Sequence, residues 1–295
     1  MIYSSPIKIQ GKKTKIIPHI IEEVSKIVGG GEIDVICEPF AGSGIVGMNL
    51  ARTFREQKIL MVDSCEDLVY FFNFLRQYND DPNVLAHRIV QFFEMNKFLI
   101  RQDKKNYTII RKYFNENKEL LGDLLPICFL FLNRMSYNGV LRYNNKGEFN
   151  TPVGTYFNTA VENSIDIAQD AISAMVSLKS TQANYWKGDA IDAINHYSDN
   201  KEKILFYCDP PYLHRNTRYT GDWKQEDQDL LRTALLSSSS PFVVSSWEND
   251  AGENAAELSK WVGCKIVLVE HQYIVGPKKE NRPKIQEVLI VRDCK

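Results

Sequence analysis

Short apolar runs ended abruptly by turn residues mark both ends of this chain. Ile33-Asp34-Val35-Ile36-Cys37 reads as a first strand, and Glu38-Pro39-Phe40-Ala41-Gly42-Ser43-Gly44 follows it. Val46, Leu50 and Ala51 then fall at helical spacing, so the pattern is strand, glycine turn, helix. Ile59 to Asp63 is a second strand that ends in an acid. Lys203 to Cys208 has the continuous apolar character of a strand buried on both faces of a parallel sheet, and it stops at Asp209-Pro210-Pro211-Tyr212. Strands resume at Phe242 to Ser246, Lys265 to Glu270 and Glu287 to Val291. The polar loop 276–284 lets the last two form an antiparallel pair. Between 71 and 180 the pattern turns helical, with Val161, Ile165, Ala168, Ile172 and Met175 at helical spacing. An inserted domain over 71–180 between two parts of an α/β domain, 1–70 and 181–295, is the expected organisation. Within the insert, Asn144-Asn145-Lys146-Gly147 is turn chemistry between two apolar arms and predicts a β-hairpin.

Composition changes this picture little. The 295 residues are 44% hydrophobic, enough for a large core, and contain no internal repeat. The six cysteines are scattered, with no CxxC and no Cys/His cluster, so neither a disulfide framework nor a metal site is expected and a reducing cytoplasm fits best. The start, MIYSSPIKIQGKK, lacks an apolar signal core, and no apolar run approaches the roughly 18 residues of a membrane helix. The formal net charge is −1, but positive charge gathers in Lys8-Lys12-Lys13-Lys15, Arg134-Arg142-Lys146, Arg215-Arg218 and Lys278-Lys279-Arg282-Lys284. Each could be a solvated face; converging, they would make a basic groove.

The candidate chemistry lies at the strand ends. No GxxxxGK[ST] is present, which disfavours a P-loop, and Gly47 falls one residue late for the third glycine of a dinucleotide fingerprint. A cofactor with a nucleoside but no pyrophosphate fits better. S-adenosylmethionine has that chemistry: backbone approaches it at the glycines, and Asp63, about 20 residues on, is placed to accept two ribose hydroxyls. Two prolines after the strand at 203–208 leave carbonyls outside any ladder, at the sheet end where ligands bind. An ordinary Asp-Pro turn is the alternative for that tetrapeptide, a packing turn is the alternative for Gly42-Ser43-Gly44, and a simple Asp turn is the alternative for Gly188-Asp189-Ala190.

Glu38 to Gly44, Asp209-Pro210-Pro211-Tyr212 and NRMSYNGVLRYNNKGEFNTPVG (133–154) together resemble the Dam-type, class alpha, adenine-specific DNA methyltransferases. The start SPIKIQGKKTKIIPHI and the end VEHQYIVGPKKENRPKIQEVLIV are most similar to the EcoRV-type modification enzymes of that group. The resemblance implies a Rossmann-like methyltransferase fold whose mostly parallel sheet has an antiparallel last strand, with an inserted helical target-recognition domain. It implies transfer of a methyl group from S-adenosylmethionine to the exocyclic amine of an adenine flipped from double-stranded DNA, in a short site beginning GA or GAT.

In that mechanism Asp209 and the Pro210 carbonyl accept the amine hydrogens, Pro211 keeps the turn rigid, and Tyr212 stacks on the base. Glu38, Phe40, Ala41, Gly42, Ser43, Gly44 and Asp63 hold the cofactor, with Lys13 and Asp189 near it. Lys8, Arg134, Tyr137, Asn138 and Arg142 touch DNA, Arg142 reading a guanine. His214 reads as a polar loop residue. The implied partners are duplex DNA and a cognate restriction endonuclease that need not bind directly, in a bacterial or phage-encoded cytoplasmic enzyme associated with the nucleoid. One departure stands out: Ile9 occupies the aromatic position of the family's Lys-aromatic-x-Gly-Gly-Lys stretch. An amide- or RNA-directed methyltransferase and a non-catalytic DNA-binding protein on the same scaffold remain the alternatives.

Overall fold

The computed structural model describes residues 2–9, 11, 13–154, 163–198, 202–213, 223–249, 252–269 and 285–293. Val161, His214, Arg215, Arg218, Lys12 and the loop 276–284 with its basic residues lie outside them.

The apolar runs become strands that share one seven-stranded sheet. β1 (Val35–Glu38), β2 (Lys58–Asp63), β3 (Ala183–Lys187), β4 (Ile204–Cys208), β5 (Phe242–Asn249), β6 (Lys265–Val269) and β7 (Ile285–Arg292) are ordered β3-β2-β1-β4-β5-β7-β6. β1 through β5 pair in parallel, and β7 is antiparallel to both β5 and β6. The expected mixed sheet with a reversed last strand is therefore present. The chain moves outward from β1 through β2 to β3, then returns to β4 on the other side. That reversal puts the topological switch between β1 and β4, where the strand ends open a ligand crevice. Glu38 ends one of these strands and Asp209 follows the other.

Alternate strand residues serve the two faces. Ile36, Met61, Leu205, Tyr207 and Val243 join one apolar cluster, which helices α1 (Ile17–Gly30), α2 (Ile45–Thr53), α3 (Glu66–Gln77), α4 (Pro82–Gln102), α5 (Lys105–Glu116), α6 (Leu124–Met135) and α7 (Ser164–Ser180) extend. Val35, Cys37, Phe206, Cys208 and Val244 join the other, beneath α8 (Ala190–Ser198) and α9 (Gln225–Ser237), with Trp261 after α10 (Ala255–Leu258). The helices of 71–180 thus share one continuous core with the sheet, α3 and α7 both packing on β3.

β3 is the strand that the hydrophobic pattern did not predict. It is an edge strand in which only Ala183 and Tyr185 face the core, while Trp186 is 58% exposed, so Ala-Asn-Tyr-Trp-Lys shows no apolar run. The predicted turn at 144–147 is formed: the Asn144 amide donates to the Glu148 carbonyl, Gly147 takes a φ of 74°, and the arms meet at Tyr143 and Phe149. The Asn150 amide donates to the Arg142 carbonyl across the pair.

Candidate active site

The glycine turn is shaped by backbone that only glycine adopts without strain. Gly42 and Gly44 have φ of 49° and 67°, and Gly44 caps α2. Its neighbours hold it in place. The Ala41 amide donates to the Val62 carbonyl, Ser5 Oγ donates to the Ser43 carbonyl, and the buried Tyr185 hydroxyl donates to the Gly42 carbonyl at 2.6 Å. The unpredicted strand β3 is therefore part of the site's support. Gly47 resolves its late spacing: a Cβ there would stand 2.4 Å from Glu38 Oε2 and 2.6 Å from Met61 Cγ. It is a packing glycine that lets α2 approach β1 and β2.

Around this turn the strand ends enclose a cleft of about 420 Å³, within the range of small-molecule sites. Of the residues singled out from sequence it brings together Lys13, Glu38, Phe40, Ala41, Gly42, Ser43, Asp63, Asp189, Asp209, Pro210, Pro211 and Tyr212. Gly44 lies behind the wall, against Phe72 and Tyr185. Ile9 lines the cleft as an aliphatic side chain.

Five carboxylates line this space, those of Glu38, Asp63, Asp189, Asp209 and Asp227. Glu38 is 2% exposed and accepts from the Gly47 amide at 2.8 Å. Burial pushes its carboxyl well above the usual range, and the charges of Asp209 and Asp63 act in the same direction. Asp63 accepts from the Gly42 amide with one oxygen, at 2.7 Å, and from the Cys65 amide with the other, at 2.8 Å; burial raises it too. Asp209 is pushed to about 6 by burial, against the pull of Lys13. Asp189 sits at the rim and caps α8, accepting from the Ile191 and Asp192 amides.

Lys13 is not a solvated tail residue. It is 4% exposed, its Nζ is 3.1 Å from Asp209 Oδ1 and 3.7 Å from Glu287 Oε2, and it lies 4.6 Å from the centroid of the Tyr212 ring. Tyr212 donates its hydroxyl to Glu287 at 2.8 Å. Sequence reasoning missed Glu287. The available signal was a lone acid leading an otherwise apolar run, Glu287-Val288-Leu289-Ile290-Val291, since buried charge is rarely structural filler. Trp223 was also missed; it packs edge-on against Phe40, 5.6 Å between centroids, in the same cleft wall.

The residues assigned to DNA lie outside the cleft. Asn133 on α6 clasps the Lys8 backbone, accepting from its amide and donating to its carbonyl, and Gly139 approaches that carbonyl too closely for a side chain. Lys8 is thereby held against the turn Tyr137–Gly139, where Tyr137 is 44% exposed and Asn138 is left-handed, φ 54°. Arg134 donates to the Pro6 carbonyl. Arg142 is exposed on the hairpin, with Nε on Asn150 Oδ1 and an Nη on the Asn150 carbonyl. No helix among the described residues is long and apolar enough to cross a membrane.

Comparison with known proteins meets this geometry. The model of the D12 class N6 adenine-specific DNA methyltransferases matches residues 10–273. A type II methyltransferase of Methanocaldococcus jannaschii is 29% identical, covering 77% of each chain, and a DNA adenine methylase of Vibrio cholerae is 30% identical, covering 86% of this chain and 85% of its own. Among solved structures, an rRNA methyltransferase from Streptomyces viridochromogenes overlays with a TM-score of 0.43 at 13% identity, over 98% of this chain and 88% of that one. With the strand-end carboxylates, the glycine turn and Asp209-Pro210-Pro211-Tyr212 in one cleft, and with the family matched over most of its length, this chain belongs to the D12 class of N6 adenine-specific DNA methyltransferases, which take their methyl group from S-adenosylmethionine.

Proposed function

We propose that the chain methylates the exocyclic amine of an adenine flipped out of a short duplex site, with Asp209, the Pro210 carbonyl and Tyr212 acting on the base. The observation that carries this is the position of Asp209: it follows β4 at the switch point, in the same cleft as the glycine turn and Asp63.

The cleft suits the cofactor's chemistry. Glu38 and Asp63 are acceptors for hydroxyl and ammonium groups, the glycine turn permits close backbone approach, and Phe40 with Trp223 forms a wall for a flat ring. When bound, S-adenosylmethionine supplies the methyl group, its C–S bond breaking as the N–C bond forms. Asp209 and the Pro210 carbonyl accept the hydrogens of the amine, turning its lone pair out of conjugation. Asp209, whose carboxyl is raised to about 6, can also take the proton the amine must shed. Tyr212 holds the base by stacking, at a flipping cost of a few kcal/mol. Lys13 and Asp189 border the cofactor.

Duplex recognition is assigned to 71–180 together with Lys8 and Arg134. Tyr137 and Asn138, exposed on one turn, fill the space left by the base, and Arg142 reads a guanine edge. A target beginning GA or GAT and kinship with the EcoRV-type, class alpha enzymes rest on the two terminal segments and the hairpin. A place in a restriction–modification pair draws support from type II relatives, among them one of Lactococcus lactis at 26% identity.

The test is tritium transfer from S-adenosylmethionine into unmethylated plasmid DNA, followed by nucleoside analysis. Label in N6-methyladenine is expected, lost in Asp209→Ala while the cofactor dissociation constant stays near the parent's. Turnover retained in Asp209→Ala would sink the mechanism. Sequencing the modified plasmid then reads the target.

A further inference from the structure

Glu287 has no assigned role, yet it is 3% exposed and carries a carboxylate into the core end of β7. A buried acid costs free energy unless its partners repay the desolvation, so its contacts are informative. Both lead to the proposed chemistry. Its Oε2 accepts the Tyr212 hydroxyl at 2.8 Å and stands 3.7 Å from the Lys13 ammonium, which in turn stands 3.1 Å from Asp209. One buried cation is shared between two acids from different elements, above the ring meant to hold the base.

We propose that Glu287 is a positioning residue for methyl transfer: it fixes the Tyr212 ring through its hydroxyl and keeps Lys13 from pairing with Asp209 alone. The inference rests on the roles of Asp209 and Tyr212 given above. A ring held only by stacking turns and tilts, whereas a hydroxyl bound to a buried carboxylate sets the plane against which a base must lie. Lys13 acting alone would direct the Asp209 lone pairs to an ammonium. With Glu287 beside it, the ammonium has a second buried carboxylate to go to when an amine claims Asp209.

The electrostatics follow from the same arrangement. Asp209 is faced by Lys13 from the amino-terminal segment, Glu287 from β7, Tyr212 from its own loop, Tyr207 and Cys208 from β4, and Glu38 from β1. Burial is the main reason its carboxyl sits at about 6; Lys13 pulls it down and Glu287 pushes it up. Neutralising Glu287 removes a like charge and leaves Asp209 as the one charged acid of the pair beside Lys13. Both changes lower the pH at which Asp209 ionises.

The experiment uses the full chain, unmethylated plasmid DNA and tritiated S-adenosylmethionine, with kcat/KM followed from pH 5 to 8. Glu287→Gln keeps an acceptor for Tyr212 but no charge, so the acid limb of the profile is expected to move down by roughly half to one unit. Tyr212→Phe loses the hydrogen bond to Glu287 but leaves the charges alone, so its limb stays where the parent's is while its rate falls. Glu287→Asp keeps the charge on a shorter reach, so it too keeps the parent's limb and turns over several-fold more slowly. The cofactor dissociation constant, measured for each, separates misfolding from mispositioning. A limb that stays put in a cofactor-binding Glu287→Gln overturns the proposal, as does a Tyr212→Phe limb that moves as far. If Glu287→Gln fails to bind cofactor, Glu287→Asp decides alone, and a parent-like rate there overturns the role. Turnover surviving in Asp209→Ala would instead sink the underlying mechanism.

Discussion

Gly47→Ala sets a helix gain against a steric loss, and the structure says which wins. Alanine is favoured over glycine inside a helix by about 1 kcal/mol, so an exposed Gly47 would be improved by the change. Here the new methyl would meet Glu38 Oε2 at 2.4 Å and Met61 Cγ and Sδ at 2.6 Å, where ordinary contact begins at 3.4 Å. Neither neighbour can swing into solvent, for Glu38 is 2% exposed and Met61 fully buried. The methyl meets both neighbours at once, so α2 is pushed from β1 and β2 and the carboxylate is displaced from the Gly47 amide that it accepts from. Overpacking costs about 1–3 kcal/mol and losing a hydrogen bond to a buried carboxylate about 1.5–3 kcal/mol, so the net loss is about 1.5–5 kcal/mol. At roughly 2 °C per kcal/mol for a chain of this size, Tm should fall by about 3–10 °C. Thermal denaturation followed by circular dichroism measures this, and a cofactor titration should show weaker binding because Glu38 lines the cleft. A Gly47→Ala protein as stable as the parent, with an unchanged dissociation constant, would refute the close approach.

Glu38→Gln separates stability from function. A raised carboxyl stabilises the fold fully below its unfolded value, and that stability is lost as pH rises toward the folded one. The urea midpoint of Glu38→Gln should therefore gain on the parent's between pH 5 and pH 8 while cofactor binding weakens; a pH-independent gap would show that Glu38 ionises normally. Asp63→Ala should weaken S-adenosylmethionine binding by about 1.5–3 kcal/mol, the worth of hydrogen bonds to a charged acceptor, and an isothermal titration identical to the parent's would remove Asp63 from the site. Arg142→Ala should lose about 1–3 kcal/mol of discrimination at a single base pair, measured on duplexes altered one pair at a time. Asn150→Ala, which releases the guanidinium from the opposite hairpin arm, should lose less at the same position. Uniform loss across all duplexes would make Arg142 a backbone anchor instead.

Local pattern alone determined much of this protein. Runs such as Ile33 to Cys37 and Lys203 to Cys208 are strands because continuous apolar residues bury both faces of a parallel sheet, and a proline soon after each marks where the backbone can no longer continue the ladder. The candidate cofactor acid and the Asp209-Pro210-Pro211-Tyr212 turn were legible for that reason, since each adjoins a strand end. Tertiary structure decided what such patterns do not encode. β3 is an edge strand with one face in the core, so its sequence carries no apolar run, although its Tyr185 braces the glycine turn. Gly47 has its meaning only when Glu38 and Met61 lie against it. Lys13, near the amino terminus, reads as one of a basic cluster until burial places it between Asp209 and Glu287, two acids far apart in sequence that meet because β7 inserts antiparallel beside β5. Spacing along a chain reports neighbours on one element; which acid shares which cation is settled by strand order.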